Sequence, residues 1–169
     1  MRVAALAQAL KHSRLVTGPA DLEITDVTND SRQVRSGSLY AALPGARVDG
    51  HRFIAPAIAS GAQAVLCERI PDGHEGHEGR QVAWFTADHA RLALSEVAHH
   101  FQNRPSEELE VIGVTGTDGK TSTVYFAHQL LQQLTASSAF LSTASMQIGS
   151  TESPNMQHQS TPEAPVVHR

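Results

Sequence analysis

The sequence predicts an α/β protein in two parts. A small N-terminal α/β domain spans residues 1–106, and the truncated start of a second, phosphate-loop α/β domain spans 107–169. Three observations carry this prediction. Through the first hundred residues, apolar runs of strand length alternate with apolar positions at helical spacing. A polar stretch, Asn103-Arg104-Pro105-Ser106-Glu107-Glu108, then interrupts the pattern as a linker does. Beyond it, an apolar run, a glycine-rich turn and an amphipathic segment follow one another, the beginning of a parallel α/β unit.

In chain order, the N-terminal segment reads as a short amphipathic helix, because Gln8 interrupts the apolar run Val3–Ala7 and Lys11-His12 follow at once. Leu22, Ile24 and Val27 mark a short half-buried strand, and Ser38–Leu43 a second. Gly45, Asp49 and Gly50 supply turn chemistry. Phe53, Ile54, Ala57 and Ile58 lie on one helical face that ends at Gly61, with Pro56 in the first turn. Gln63–Cys67 and Gln81–Phe85 read as buried strands, and Asp88 as the N-cap of a helix running to about Gln102. Between those strands, Pro71–Gly79 contains two His and two Glu. Its three glycines prevent the rigid helix that would aim both imidazoles at one ion, so a solvated turn is expected. Leu109–Thr115 reads as a strand, and Lys120 to about Leu134 as a helix with two stripes, Val124, His128, Leu131 and Ala127, Leu130, Leu134. Ala139–Thr143 is the candidate next strand, Ser150–Gln159 a polar loop, and Ser160-Thr161-Pro162-Glu163 a helix start. The chain ends six residues later, so the second domain is expected to be incomplete.

Composition narrows the function. With 40% apolar and 18% charged residues the chain is too apolar to be disordered. Thirteen Lys and Arg against seventeen Asp and Glu leave a net charge of −4, so no overall basic field draws it to nucleic acid or anionic lipid. Any bound anion must be held locally. Cys67 is the single cysteine, which excludes an intramolecular disulfide framework and a thiolate metal cluster. No apolar run reaches the ~18–20 residues of a membrane span. A reducing, cytoplasmic setting without membrane or nucleic-acid partner is the expectation.

The segment richest in chemistry is Gly116-Thr117-Asp118-Gly119-Lys120-Thr121-Ser122. A glycine-rich loop opening a helix points backbone N–H groups and the positive end of the helix dipole at one place, which suits phosphate. Lys120 adds a full charge for the β- and γ-phosphates of ATP, and the Thr121 hydroxyl is the candidate ligand for the accompanying Mg²⁺. The strict pattern G-x-x-x-x-G-K-[ST] needs Gly at position 114, where this chain has Val114.

The run Val111-Ile112-Gly113-Val114-Thr115-Gly116-Thr117-Asp118-Gly119-Lys120-Thr121-Ser122-Thr123 resembles the ATP loop of the Mur ligases and of folylpolyglutamate synthase. Asp118 replaces the Asn usual there and puts a carboxylate beside the phosphate site. Upstream, Asp30-Ser31-Arg32, Gly37, Ser38–Ala42, Gly45, Asp49-Gly50-His51, Phe53-Ile54, Ala57 and Gly61-Ala62 are similar to the N-terminal domain of Mur ligases adding the third or a later peptide residue. Folylpolyglutamate synthase lacks that domain. Gln159-Ser160-Thr161-Pro162-Glu163 resembles a third motif of the same ligases.

The resemblance implies a small substrate domain that holds the UDP portion of UDP-N-acetylmuramoyl-dipeptide, then the start of an ATP-binding domain. It assigns Asn29 and Ser31 to the uridine, Ala46, Arg47 and Val48 to the uracil pocket with Arg47 toward the pyrophosphate, and Gln159, Ser160 and Thr161 to the muramyl-dipeptide. It assigns Gly116 to Ser122 to ATP, Lys120 to catalysis and Thr121 to Mg²⁺. Taken alone, Ser31 also fits a turn residue, Arg47 a solvated charge, and Ser160 and Thr161 a helix cap. Two other functions compete: a free-standing UDP-sugar-binding module, and a small P-loop kinase or NTPase. The last is disfavoured because no Asp-terminated apolar strand follows residue 121.

Overall fold

The computed structural model describes residues 1–45, 48–73, 81–134, 137–155 and 163–167. These fall into two compact units, Met1–Glu108 and Leu109–Val167.

The first unit is built on a five-stranded sheet. Its strands are β1 (Arg14–Thr17), β2 (Asp26–Thr28), β3 (Ser38–Ala41), β4 (Ala64–Cys67) and β5 (Ala83–Thr86), in the order β1-β5-β4-β3-β2. Strands β2 to β5 run parallel, and β1 lies antiparallel on the β5 edge. Helices α1 (Val3–Ala9), α2 (Ile54–Ala59) and α3 (Ala90–Phe101) complete it. The two-residue period of the strands divides the core into two layers. Leu39, Ala41, Ala64, Leu66, Ala83 and Phe85 face a cluster with Val3 and Leu6 of α1 and Leu94 and Val97 of α3. Their neighbours Tyr40, Ala42, Val65, Cys67, Val82 and Trp84 face Ile54, Ala57 and Ile58 of α2. Both faces being covered explains why these strands read as continuous apolar runs rather than alternations.

Several sequence expectations need correction here. The strand placed at Leu22–Val27 is Asp26–Thr28. Leu22 and Ile24 belong instead to the segment before it, whose backbone holds the N-terminus through Val3 N–H to Leu22 O and Ile24 N–H to Met1 O. Strand β1 has no counterpart in the sequence reading, because it is an edge strand with mostly exposed side chains and an irregular register between Leu15 and Thr17. Asp88 does not cap α3. That helix starts one residue later, at Ala90, whose N–H is satisfied by the Glu68 carboxylate reaching over from the end of β4 at 3.0 Å. Helix α2 does end on Gly61. Gly61 N–H and Ala62 N–H donate to Ile58 O and Ala57 O, with Gly61 at φ +108° as this cap requires. The His-rich residues 74–79 lie outside the described residues.

In the second unit, helix α4 (Lys120–Leu134) has the expected bounds, while the strands differ from expectation. Residues 109–115 form no strand, and Leu109, Val111 and Ile112 are exposed. A strand exists only through hydrogen bonds to a neighbour, and no described residue pairs with this segment. The sheet present is an antiparallel meander, β6 (Ala139–Leu141), β7 (Ser145–Ile148) and β8 (Thr151–Pro154), not the next parallel strand of a βαβ unit. Strand β8 occupies part of the segment read as a loop. Of the two expected α4 stripes, only His128 is buried, while Leu130 and Leu134 are exposed. Phe140 of β6 packs against His128 with the rings tilted by 57° and 4.9 Å between ring centres, and meets Tyr125 edge-on at 6.0 Å. A last short helix, α5, covers Ala164–Val167.

Candidate functional site

Because β2 and β3 are parallel neighbours, the segments that follow them, 29–33 and 42–53, leave the sheet at the same edge. In open α/β sheets that carboxyl edge is where ligands bind. After β2, the Thr28 hydroxyl accepts from Asp30 N–H at 3.1 Å. Asp30 then caps the 3-10 turn Ser31–Gln33, its Oδ1 accepting Arg32 N–H at 3.0 Å. The Arg32 guanidinium closes a two-pronged pair on the same carboxylate, at 2.9 and 2.7 Å. The guanidinium bonds, then the backbone bond, hold the Asp30 carboxyl below the ordinary aspartate range against the opposing effect of burial. The D-S-R sequence is thus a self-contained clamp. It leaves Asn29 and Ser31 half-buried, and among the described residues neither side chain has a hydrogen-bond partner.

After β3 the chain closes a loop in which Gly50 N–H donates to Leu43 O at 2.9 Å. A Cβ on Gly50 would sit 2.7 Å from that oxygen, so only glycine permits the closure. Asp49 caps the 3-10 turn Gly50–Phe53 by accepting His51 N–H, and its Oδ1 lies 2.7 Å from His51 Nδ1. The backbone bond first, and then the imidazole, hold the Asp49 carboxyl low. Tyr40 joins the two segments. Its hydroxyl donates to Gly50 O at 3.0 Å, and burial, reinforced by the charges of Asp30 and then Asp49, pushes its pKa up to about 12. The charges of both carboxylates thus act on one phenol near the end of β3. Val48 is half exposed on this edge, and Ala46 and Arg47 lie outside the described residues.

In the second unit the loop Gly116–Gly119 leads into α4, and Gly119 O accepts the first helical bond from Thr123 N–H. Lys120 curls back so that its Nζ donates to Gly116 O at 2.5 Å and Thr117 O at 3.0 Å. With carbonyls turned to the ammonium, an anion meeting this loop would find the lysine charge already centred on it. Thr117, Asp118, Gly119, Thr121 and Ser122 are exposed. Thr121 Oγ1 lies 3.3 Å from Thr143 Oγ1, a partner the sequence reading missed because Thr143 sits beyond the end of β6 with no motif around it. Among the described residues no group of three His, Cys, Asp or Glu side chains can hold a metal ion, and the Thr121 hydroxyl is the one expected Mg²⁺ ligand among them. Gln159, Ser160 and Thr161 lie outside the described residues.

Two family models match this sequence in the order of the two units: "Mur ligase family, catalytic domain" over residues 23–102 and "Mur ligase middle domain" over 114–169. The chain belongs to the Mur ligase family. A UDP-N-acetylmuramyl-tripeptide synthetase of Deinococcus radiodurans is 40% identical over 169 residues, 99% of this chain and 34% of that protein. A UDP-N-acetylmuramoyl-L-alanyl-D-glutamate--2,6-diaminopimelate ligase of Geobacter metallireducens is 37% identical over 172 residues, 100% of this chain and 32% of that protein. Among solved structures, MurF from Acinetobacter baumannii aligns with a TM-score of 0.58 and 29% identity, over 79% of this chain and 28% of that one. The chain thus spans about a third of the length of the curated Mur ligases it matches. The α/β fold expected from the sequence is that of these Mur ligases, and the exposed apolar side chains of 109–112 and α4 lie within or beside the match to the middle domain.

Proposed function

We propose that this chain is the N-terminal portion of an ATP-dependent Mur ligase that adds a diamino acid to UDP-N-acetylmuramoyl-L-alanyl-D-glutamate in peptidoglycan synthesis. The observation that carries the reading is the similarity along the whole chain to a UDP-N-acetylmuramyl-tripeptide synthetase. The site geometry agrees with it. On the carboxyl edge of β2 and β3, Asn29 and Ser31 offer unpaired amide and hydroxyl groups, which suit the donor and acceptor edge of uracil. The resemblance adds Ala46, Arg47 and Val48 to the uracil site, and a guanidinium such as that of Arg47 suits a diphosphate. Gln159, Ser160 and Thr161 serve the muramyl-dipeptide.

The substrate carboxylate would be activated by phosphoryl transfer from ATP, leaving ADP, and an amine would then form the amide by displacing phosphate. Charge builds on the phosphates as this happens, so fixed cations and oriented N–H groups provide the acceleration. Lys120 is the fixed cation, Gly116, Thr117, Asp118, Gly119 and Ser122 line the phosphates, and the Thr121 hydroxyl ligates Mg²⁺. Thr143, hydrogen-bonded to Thr121, orients that hydroxyl. The reaction takes place in the cytoplasm and involves neither nucleic acid nor membrane. Among the described residues, no helix is long and apolar enough to cross a membrane.

Titration calorimetry with UDP and with Mg-ATP tests the division of labour. Ser31→Ala is expected to weaken UDP and leave Mg-ATP unchanged, and Lys120→Ala to do the reverse. A chain that binds neither nucleotide, or in which each substitution weakens both equally, overturns the proposal.

A further inference from the structure

Asn155 stands one residue past β8 and is 3% exposed. Its side-chain amide donates to Ser142 O at 2.7 Å and its backbone N–H to Ala144 O at 3.0 Å, so the two carbonyls that flank Thr143 are tied to one residue. A buried amide is costly unless it is bonded, and this one is bonded to a turn that other groups already close. Ser142 N–H and the Ser142 hydroxyl both donate to Ser145 O, at 2.9 and 2.8 Å, and the same hydroxyl accepts Ala144 N–H and Ser145 N–H at 3.3 and 3.1 Å. What Asn155 adds to the hairpin of β6 and β7 is therefore a fixed place for Thr143.

Thr143 is the residue through which this turn meets the phosphate loop. Its Oγ1 lies 3.3 Å from Thr121 Oγ1, in the first turn of α4. Hydroxyl pairs usually lie about 2.5–3.0 Å apart, so a small drift of the turn would break this contact. Direction matters as much as distance. A hydroxyl carries one proton, and an oxygen that turns a lone pair to a cation must send that proton elsewhere. Thr143 Oγ1 is placed to accept it.

We propose that Asn155 is a positioning residue of the phosphate site: it holds Thr143 where its hydroxyl accepts the Thr121 proton, and so leaves the Thr121 oxygen free for the cation that accompanies ATP. This rests on the reading of Gly116–Ser122 as the ATP loop and extends that site to a buried residue outside every motif seen in the sequence. Partners that orient a metal ligand in this way govern metal affinity although they never touch the ion.

Calorimetric titration of the full chain with ATP, once with Mg²⁺ and once with a chelator, reads this role. The intact protein is expected to bind ATP more tightly with Mg²⁺. Thr143→Val is expected to cut that enhancement about tenfold, and Thr143→Ser to keep it. Asn155→Ala is expected to lose a large part of it while binding ATP in chelator as the intact protein does. Because both residues act through one hydroxyl, the double variant is expected to lose no more than Thr143→Val alone. A merely structural role would weaken ATP by the same factor with and without Mg²⁺, or add to the Thr143→Val loss, and either result would overturn the inference. If Asn155→Ala does not fold, the side-chain amide signals of Asn155 in the intact protein decide. Mg-ATP is expected to shift them and ATP in chelator to leave them in place, and an equal response to both would overturn the inference. Equal affinity of the intact protein for ATP with and without Mg²⁺ would also overturn it, whereas an intact protein that binds no ATP would refute the phosphate loop itself and this role with it.

Discussion

Replacing Asp30 by alanine separates the two things its carboxylate does. It caps the 3-10 turn through Arg32 N–H at 3.0 Å, and it pairs with the Arg32 guanidinium. The Arg32 side chain is 86% exposed, so solvent screens the pair and little stability is expected from it. Loss of a capping Asp costs about 1 kcal/mol, equivalent to a fall of roughly 4 °C in the Tm of a domain this size. Arg32→Ala, which keeps the cap, should leave the melting midpoint where it is. The pH dependence follows from the depressed Asp30 carboxyl. A carboxyl with a lower pKa folded than unfolded contributes its full stability above the unfolded pKa of about 3.9, and that contribution is lost as pH falls through the folded value. Urea unfolding of wild type and Asp30→Ala at pH 7, 5 and 3 should give equal gaps at the first two and a smaller gap at the third. A gap that is absent at pH 7, or as large at pH 3, would refute the assignment of the cap. Because the cap also places Ser31, Asp30→Ala should weaken UDP binding, whereas Arg32→Ala should not.

Three further outcomes are expected. Gly61→Val should cost about 1–3 kcal/mol in urea unfolding, since Gly61 sits at φ +108° and a Cβ there would lie 2.9 Å from Ser36 Cα; an unchanged midpoint would contradict the cap geometry. Glu68→Ala should lower stability by about 1 kcal/mol and Asp88→Ala should leave it nearly unaltered, the reverse of what the sequence alone suggests. Burial pushes the Cys67 thiol up to about 11, so a thiol reagent at pH 8 should label it only in denaturant, and rapid labelling of the folded chain would show that β4 is not packed as described.

Legibility differed between the two halves of the chain for a physical reason. In the first unit, β3, β4 and β5 are buried on both faces, so their apolar runs are visible without knowing their neighbours, and the D-S-R and D-G-H clusters are local devices whose hydrogen bonds span two or three residues. The edge strand β1 buries too little to leave a pattern, and the Glu68 cap on α3 joins residues 22 positions apart, which no local motif reveals. In the second unit, α4 and its glycine loop were legible for the same local reasons. The segment 109–115 has the composition of a strand, yet a strand is a property of a pair, and with no pairing partner among the described residues its apolar residues Leu109, Val111 and Ile112 are exposed. Likewise β8 carries polar side chains and reads as loop, because only its pairing with β7 makes it a strand.

The central claim is that the carboxyl edge of β2 and β3 is a uridine diphosphate site. Backbone amide spectra of the chain titrated with UDP test it most directly. The account predicts the largest shifts at residues 28–33 and 42–53, with the opposite edge of the sheet, at Ser38, Ala64 and Ala83, and the loop Gly116–Ser122 left unmoved. Shifts centred on Gly116–Ser122, or no shifts at the sheet edge at saturating UDP, would contradict it.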